Sequence, residues 1–326
     1  MTKKALYIFV LLNTLCAAAA QTGFVYNADC LKHDTGKTHP EKKERLEAIV
    51  NRLKGKELFP RLVIIDATAA PIKWISTVHS PDYIKEVEKS CLDGKKYLHS
   101  KDTVISQNSY SAACLAAGGV LTAVDAVMNG EVKNAFCAVR PPGHHASKNE
   151  AMGFCIFNNV AIGARYVLEK YKLAKILIVD FDVHHGNGTQ DIFKENPNVL
   201  YFSIHRSPFY PGTGNADEKG SGNIVNVPLP QGSGDDEYVK VFEETFKPRA
   251  YAFKPDFIFI SAGFDANEGD PLGGMNVTAA GYRKMTGIIK GTADKCCKGR
   301  IVSVLEGGYG PGLADAVYAH ITELMK

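Results

Sequence analysis

Eight short apolar runs punctuate the chain, and most of them lack the in-and-out alternation of a half-buried strand. They are 23–27 (GFVYN), 61–67 (RLVIIDA), 134–139 (NAFCAV), 175–182 (KILIVDFD), 199–205 (VLYFSIH), 223–229 (NIVNVPL), 256–264 (DFIFISAGF) and 300–308 (RIVSVLEGG). Successive Val, Ile and Phe residues suit strands buried on both faces, as in a parallel sheet covered by helices. Between them lie stretches with helical spacing at 39–55, 109–130, 158–172 and 278–296. Thr278 is placed to cap the last of these, and Ser80-Pro81 reads as a capped helix start with proline in the first turn. The alternation predicts an α/β fold of three layers, with helices on both faces of one mainly parallel sheet.

The first twenty residues follow another pattern. Lys3 and Lys4 precede the apolar stretch ALYIFVLL, and Ala18 and Ala20 supply a small-x-small site. This is the layout of a secretory signal peptide, with an apolar run too short to cross a bilayer comfortably. The expected organisation is a leader at 1–20 and a single domain over 21–326, exported to a periplasm or secreted, without stable membrane insertion.

Composition changes this picture little. With 45% apolar and 22% charged residues the chain suits a globule with a large core. Net charge is +3 and the basic residues are spread out, which removes the electrostatic footprint of a nucleic-acid binder. Removing the leader takes Cys16 and leaves an odd set of cysteines without metal-type spacing, so free buried thiols are expected rather than a disulfide framework.

The polar residues gather where such sheets bind ligands, beyond the carboxyl ends of strands. Asp180, Asp182, His184 and His185 close the fourth run, and His144 and His145 follow the third. Asp265 follows the seventh, and Glu306 to Tyr309 close the eighth. Asp182 and His184 are two apart, which in extended chain puts both side chains on one face; Asp265 can join them from a neighbouring strand end. Two carboxylates and one imidazole with open positions suit a catalytic zinc ion, which lowers the pKa of bound water and polarises a carbonyl. A histidine of the 144–145 pair can move the protons, with Asp180 and Asn187 available to orient the rings. Tyr309 can donate to a developing oxyanion.

Together RPPGHHA, GFCIFNN, DFDVHHGNGTQ, FYPGTG, SAGFDANEGDPLGG and EGGY resemble the histone deacetylase family of arginase-like zinc deacetylases, over nearly all of the mature chain. The resemblance implies a three-layer αβα fold with an eight-stranded parallel sheet. It makes Asp182, His184 and Asp265 the Zn2+ ligands and His145 the general acid–base. His144, backed by Asp180, acts electrostatically, and Tyr309 is the oxyanion donor. Asn187, where some relatives carry aspartate, points to the class II branch. The resemblance also implies a K+ beside the zinc, held by Asp180, Asp182, His184 and Ser203 with the Ile204 carbonyl. A second K+ would use backbone oxygens near Phe193 and Val199.

By the same resemblance Gly153, Phe154 and Tyr210 line an acyl-lysine channel, Tyr210 replacing the phenylalanine common there. Leu272 stands where polyamine-selective relatives carry glutamate. Asp102 matches a rim aspartate that fixes the substrate backbone. Arg45 matches an inner-channel arginine, or is one more charge on a solvated helix. The expected activity is zinc-dependent hydrolysis of acetyl groups from lysine side chains of a peptide or protein. Its rivals are a deacetylase of acetylpolyamines or other small amides, and a non-catalytic zinc-bearing module that binds acylated ligands. A two-metal ureohydrolase is disfavoured by Asn267, which stands where those enzymes carry a further aspartate. Export would separate the chain from nuclear histones and leaves its natural substrate open.

Overall fold

All eight apolar runs become strands of one sheet in the computed structural model, which describes residues 21–326. The leader expected at 1–20 lies outside the described residues. In chain order the strands are β1 (Thr22–Val25), β2 (Val63–Ile65), β3 (Tyr97–Leu98), β4 (Ser100–Val104), β5 (Asn134–Cys137), β6 (Ile176–Asp180), β7 (Val199–Arg206), β8 (Ile224–Leu229), β9 (Phe257–Ala262) and β10 (Ile301–Leu305). The main sheet runs β2-β1-β5-β10-β9-β6-β7-β8, every pair parallel. Every residue of β5, β6, β9 and β10 is buried, which is why these strands read as continuous apolar runs. The antiparallel pair β3–β4 was not foreseen; it is too short and polar to carry a period.

Helices cover both faces. On one, α2 (Pro81–Leu92), α3 (Ser109–Met128) and α4 (Asn159–Lys170) pack together, with α5 (Asn187–Phe193) against α4. On the other, α1 (Glu44–Gly55), α6 (Ala279–Cys297) and α7 (Leu313–Leu324) form a second group. The expected caps are present: Ser80 Oγ accepts from Tyr83 N at 3.2 Å, and Thr278 Oγ1 accepts from Ala280 N and Gly281 N. Among the described residues α3 alone is long and apolar enough to cross a membrane, but it is the core helix of its face. Gly118 lets it press on the main chain of Thr68 to Ala70, where a Cβ would collide. The seven cysteines of the described residues are free thiols, six of them buried.

Candidate active site

The central β6 and β9 set the site. Asp180 ends β6, paired in register with Ser261 of β9 on one side and Ser203 of β7 on the other. The strand stops there, so Asp182 and His184 do not share a face through strand alternation. The chain turns instead: His184 N donates to Asp182 Oδ1 at 2.9 Å, folding the imidazole back over the carboxylate. Asp265 arrives from the loop after β9. His184 Nδ1 lies 3.1 Å from Asp182 Oδ1 and 3.1 Å from Asp265 Oδ2.

The other oxygen of each carboxylate is spoken for. Val183 N donates to Asp265 Oδ1 and Gly307 N to Asp182 Oδ2, both at 2.8 Å. The remaining oxygen of each carboxylate, that of Asp182 also accepting from His184 N, and one ring nitrogen can face a common point, the three atoms within 4.8 Å of one another. Both carboxylates are buried, and burial followed by repulsion from Asp182 pushes Asp265 above the usual carboxylate range. Burial pulls His184 down, but hydrogen bonds and charge from the two aspartates carry it to about 10. Two buried carboxylates meet the His184 imidazole here, with His144 Nε2 3.8 Å from Asp182 Oδ1. This donor set fits a divalent cation that accepts nitrogen and oxygen ligands. A Cβ on Gly263 or Gly307 would strike these carboxylates, so the glycines keep the cradle open.

The tandem histidines are held from behind. Glu306 Oε2 accepts Gly143 N at 2.7 Å and His144 N at 3.1 Å, and Ser261 Oγ donates to its other oxygen. His144 Nδ1 meets Asp180 Oδ2 at 3.1 Å, where Tyr201 Oη also donates. His145 Nδ1 meets Asn187 Oδ1 at 2.8 Å, so that nitrogen carries the hydrogen and Nε2 is left as an acceptor. The rings lie 4.0 Å apart yet are driven in opposite directions. Burial lowers His144, but Asp182 and Asp180 outweigh it and raise it to about 10. Burial, then the charges of His144 and His184, hold His145 well below the usual imidazole range. One ring is thus kept charged and the other neutral.

Tyr309 is fixed by its backbone and its ring. Its N–H donates to Asp270 Oδ2 at 2.6 Å, as Gly310 N does at 2.7 Å, while Leu272 N donates to Asp270 Oδ1. The Arg45 guanidinium lies 4.8 Å from the ring centroid, and Phe154 stands edge-on at 5.7 Å. Arg45 is buried, donating to the carbonyls of Gly308 and Glu306 and to Glu41, which overturns its reading as a solvated helix charge. Glu41 also takes both ends of the fully buried Arg140, at 2.6 Å each. Asp270, Glu41 and Arg140 were missed as site residues. Only the arginine in RPPG hinted at them, because a buried ion pair has no sequence period.

A cavity of ≈ 170 Å³ opens onto His144, His145, His184 and Tyr309. Its walls include all five positions expected to contact substrate: Asp102, Gly153, Phe154, Tyr210 and Leu272, joined by Phe209. Gly153 has φ +56°, and a Cβ there would run into the His145 ring. At the mouth Tyr210 Oη lies 3.4 Å from Asp102 Oδ2. Ser203 lies off this cavity, buried beside Asp180, with its hydroxyl 2.9 Å from His205 Nδ1. The carbonyls of Phe193 and Val199 do not fit the second K+, because the Asn223 side-chain nitrogen already sits among them.

A sheet of this order with donors, imidazoles and phenol at one rim defines a class, and comparison with known proteins agrees. The histone deacetylase domain model matches residues 39–325, and the chain belongs to that family. It is 42% identical over 294 residues to a "Probable deacetylase" of Archaeoglobus fulgidus, covering 88% of this chain and 81% of that one. It is 45% identical over 280 residues to "Histone deacetylase 15" of Arabidopsis thaliana, covering 83% of this chain and 50% of that one, so it spans half of the plant protein. The crystal structure of the HDA15 HD domain superposes with a TM-score of 0.90 at 41% identity, covering 94% of this chain and 89% of that one.

Proposed function

We propose that this protein is a zinc-dependent deacetylase that hydrolyses the amide of acetylated lysine side chains. The observation that carries the reading is the meeting of Asp182, His184 and Asp265 at one point, with His184 lining the same cavity as His145 and Tyr309. Asp182, His184 and Asp265 would hold the ion, which when bound acidifies water and polarises the carbonyl. His145, kept neutral and with Nε2 free, takes a proton from water and returns one to the leaving amine. Asn187 holds that ring in the required tautomer. His144, kept charged by its aspartates, supplies fixed positive charge beside it. Burial raises the Tyr309 phenol well above its ordinary value, so it stays a donor to the oxyanion at neutral pH. The aliphatic stem of the substrate would lie between Phe154 and Tyr210, with Asp102 at the mouth.

A small acetylated amine is the second reading. Leu272 in the cavity wall favours acetyl-lysine over it, since an apolar side chain offers a cationic amine no partner. Asn267 is used structurally, donating to the Val277 carbonyl at 2.9 Å, which speaks against a second metal position. Asp180 and Ser203, adjacent in register and buried, are the side chains proposed for a K+. Export with cleavage after Ala20 is likewise proposed from the leader pattern, and N-terminal sequencing of protein recovered outside the cytoplasm tests it. The activity is tested by measuring kcat/KM on acetyl-lysine peptides and on acetylated polyamines, before and after chelation. Turnover of peptides that chelator abolishes and zinc restores supports it; metal-bearing protein inert on both classes points to the binding-module alternative.

A further inference from the structure

Three main-chain carbonyls, of Phe193, Asn196 and Val199, converge where α5 ends and β7 begins. A ring of carbonyl oxygens is how proteins commonly replace the hydration shell of a monovalent cation. Here the Asn223 side chain stands in the ring: Nδ2 donates to Phe193 O at 2.8 Å, Asn196 O at 3.0 Å and Val199 O at 2.8 Å. The amide is held in this sense from its other side. Its Oδ1 accepts from Ser221 N at 3.1 Å and from Ser221 Oγ at 3.0 Å, so turning the amide over would set acceptors against acceptors. Asn223 is buried, and among the described residues no other side chain donates to these oxygens, while Phe193 O also accepts from Asn196 N at 2.8 Å and Asn196 O from Val199 N at 3.0 Å. An amide nitrogen has two hydrogens, and three acceptors share them.

We infer that Asn223 is a built-in substitute for a second monovalent cation, its side-chain amide holding the α5–β7 seam without an ion. The consequence reaches the active site along α5, whose first residue, Asn187, orients His145 and whose last, Phe193, offers one of the three carbonyls. The placement of Asn187 then does not depend on potassium through this seam. Nothing in the inference depends on the deacetylase reading.

Crystals of the full chain soaked in thallium(I) acetate test it through anomalous scattering. The expected map has no peak ringed by the carbonyls of Phe193, Asn196 and Val199; a peak there overturns the inference. Asn223→Asp gives an independent reading, because it keeps the shape but replaces the donor with an acceptor. The variant is expected to melt lower than wild type in choline chloride and to gain about 2 °C or more from an equal concentration of KCl beyond any gain of the wild type. A KCl response identical to that of wild type contradicts the inference. If the variant folds in neither salt, the thallium map of the wild type decides.

Discussion

Tyr309→Phe removes one oxygen from the site and, on the structure, little else. Among the described residues the phenol makes no side-chain hydrogen bond that anchors the residue; its position comes from the backbone bond to Asp270 and from the Arg45 and Phe154 contacts with the ring. Phenylalanine keeps all three, so stability should stay within about 0.5 kcal/mol of wild type. The chemistry should not. Loss of a single oxyanion donor costs about 100- to 1,000-fold in kcat, equivalent to ~2.7–4 kcal/mol in the transition state. The assay pairs kcat and KM on an acetyl-lysine peptide with a melting curve and a zinc determination. The expected pattern is a fall in kcat by about two to three orders of magnitude, with KM, melting temperature and metal content little changed. Turnover within a few-fold of wild type would refute the role assigned to Tyr309, and a large loss of stability would refute the account of how it is held.

Three further predictions follow from the geometry. Asn187→Ala leaves His145 Nδ1 without its partner and should lower kcat/KM by about 10- to 100-fold, while Asn187→Asp, which still accepts that hydrogen, retains more activity; steady-state kinetics on the two variants checks this. Glu41→Gln strips the counter-charge from buried Arg140 and Arg45, a loss of about 3–5 kcal/mol readable by urea denaturation at neutral pH. Burial alone would raise Glu41, but the charge and hydrogen bonds of Arg140 outweigh it and hold the carboxyl well below its usual range. Its folded pKa being depressed, its contribution is fully present above about pH 4.3 and is lost as pH falls below it; wild type should therefore lose more stability between neutral and acidic pH than Glu41→Gln. Leu272→Glu places a carboxylate in the cavity wall and should raise the ratio of kcat/KM for acetylpolyamine over acetyl-lysine peptide; an unchanged ratio argues that this position does not select substrate.

How much of this was legible before the structure depended on whether a residue's partner was local. Runs such as ILIVD and FIFISA could be read because burial on both faces leaves an unbroken apolar string. Asp182, His184 and His145 could be read as site residues because polar groups crowd a strand end. Their convergence could not be read from spacing alone: the strand ends at Asp180, and a turn brings His184 over Asp182. The helical stretch 235–253 carried an unread signal, three acids at its start followed by Tyr238, Phe242 and Phe246 at intervals of four. Helix α7 likewise buries Leu313, Ala316, Val317, His320 and Ile321 at helical spacing. Asp270 and the Glu41–Arg140 pair had no such signal. Each is defined by a partner 39 to 99 residues away, a distance at which no local pattern survives.

The proposed chemistry needs one ion position, and diffraction from crystals of the zinc-loaded protein above and below the zinc edge tests it most directly. The expected result is one strong anomalous peak bonded to Asp182, His184 Nδ1 and Asp265, facing His145 and Tyr309, and absent from Asp265→Ala. A peak elsewhere, or full occupancy in Asp265→Ala, would contradict it.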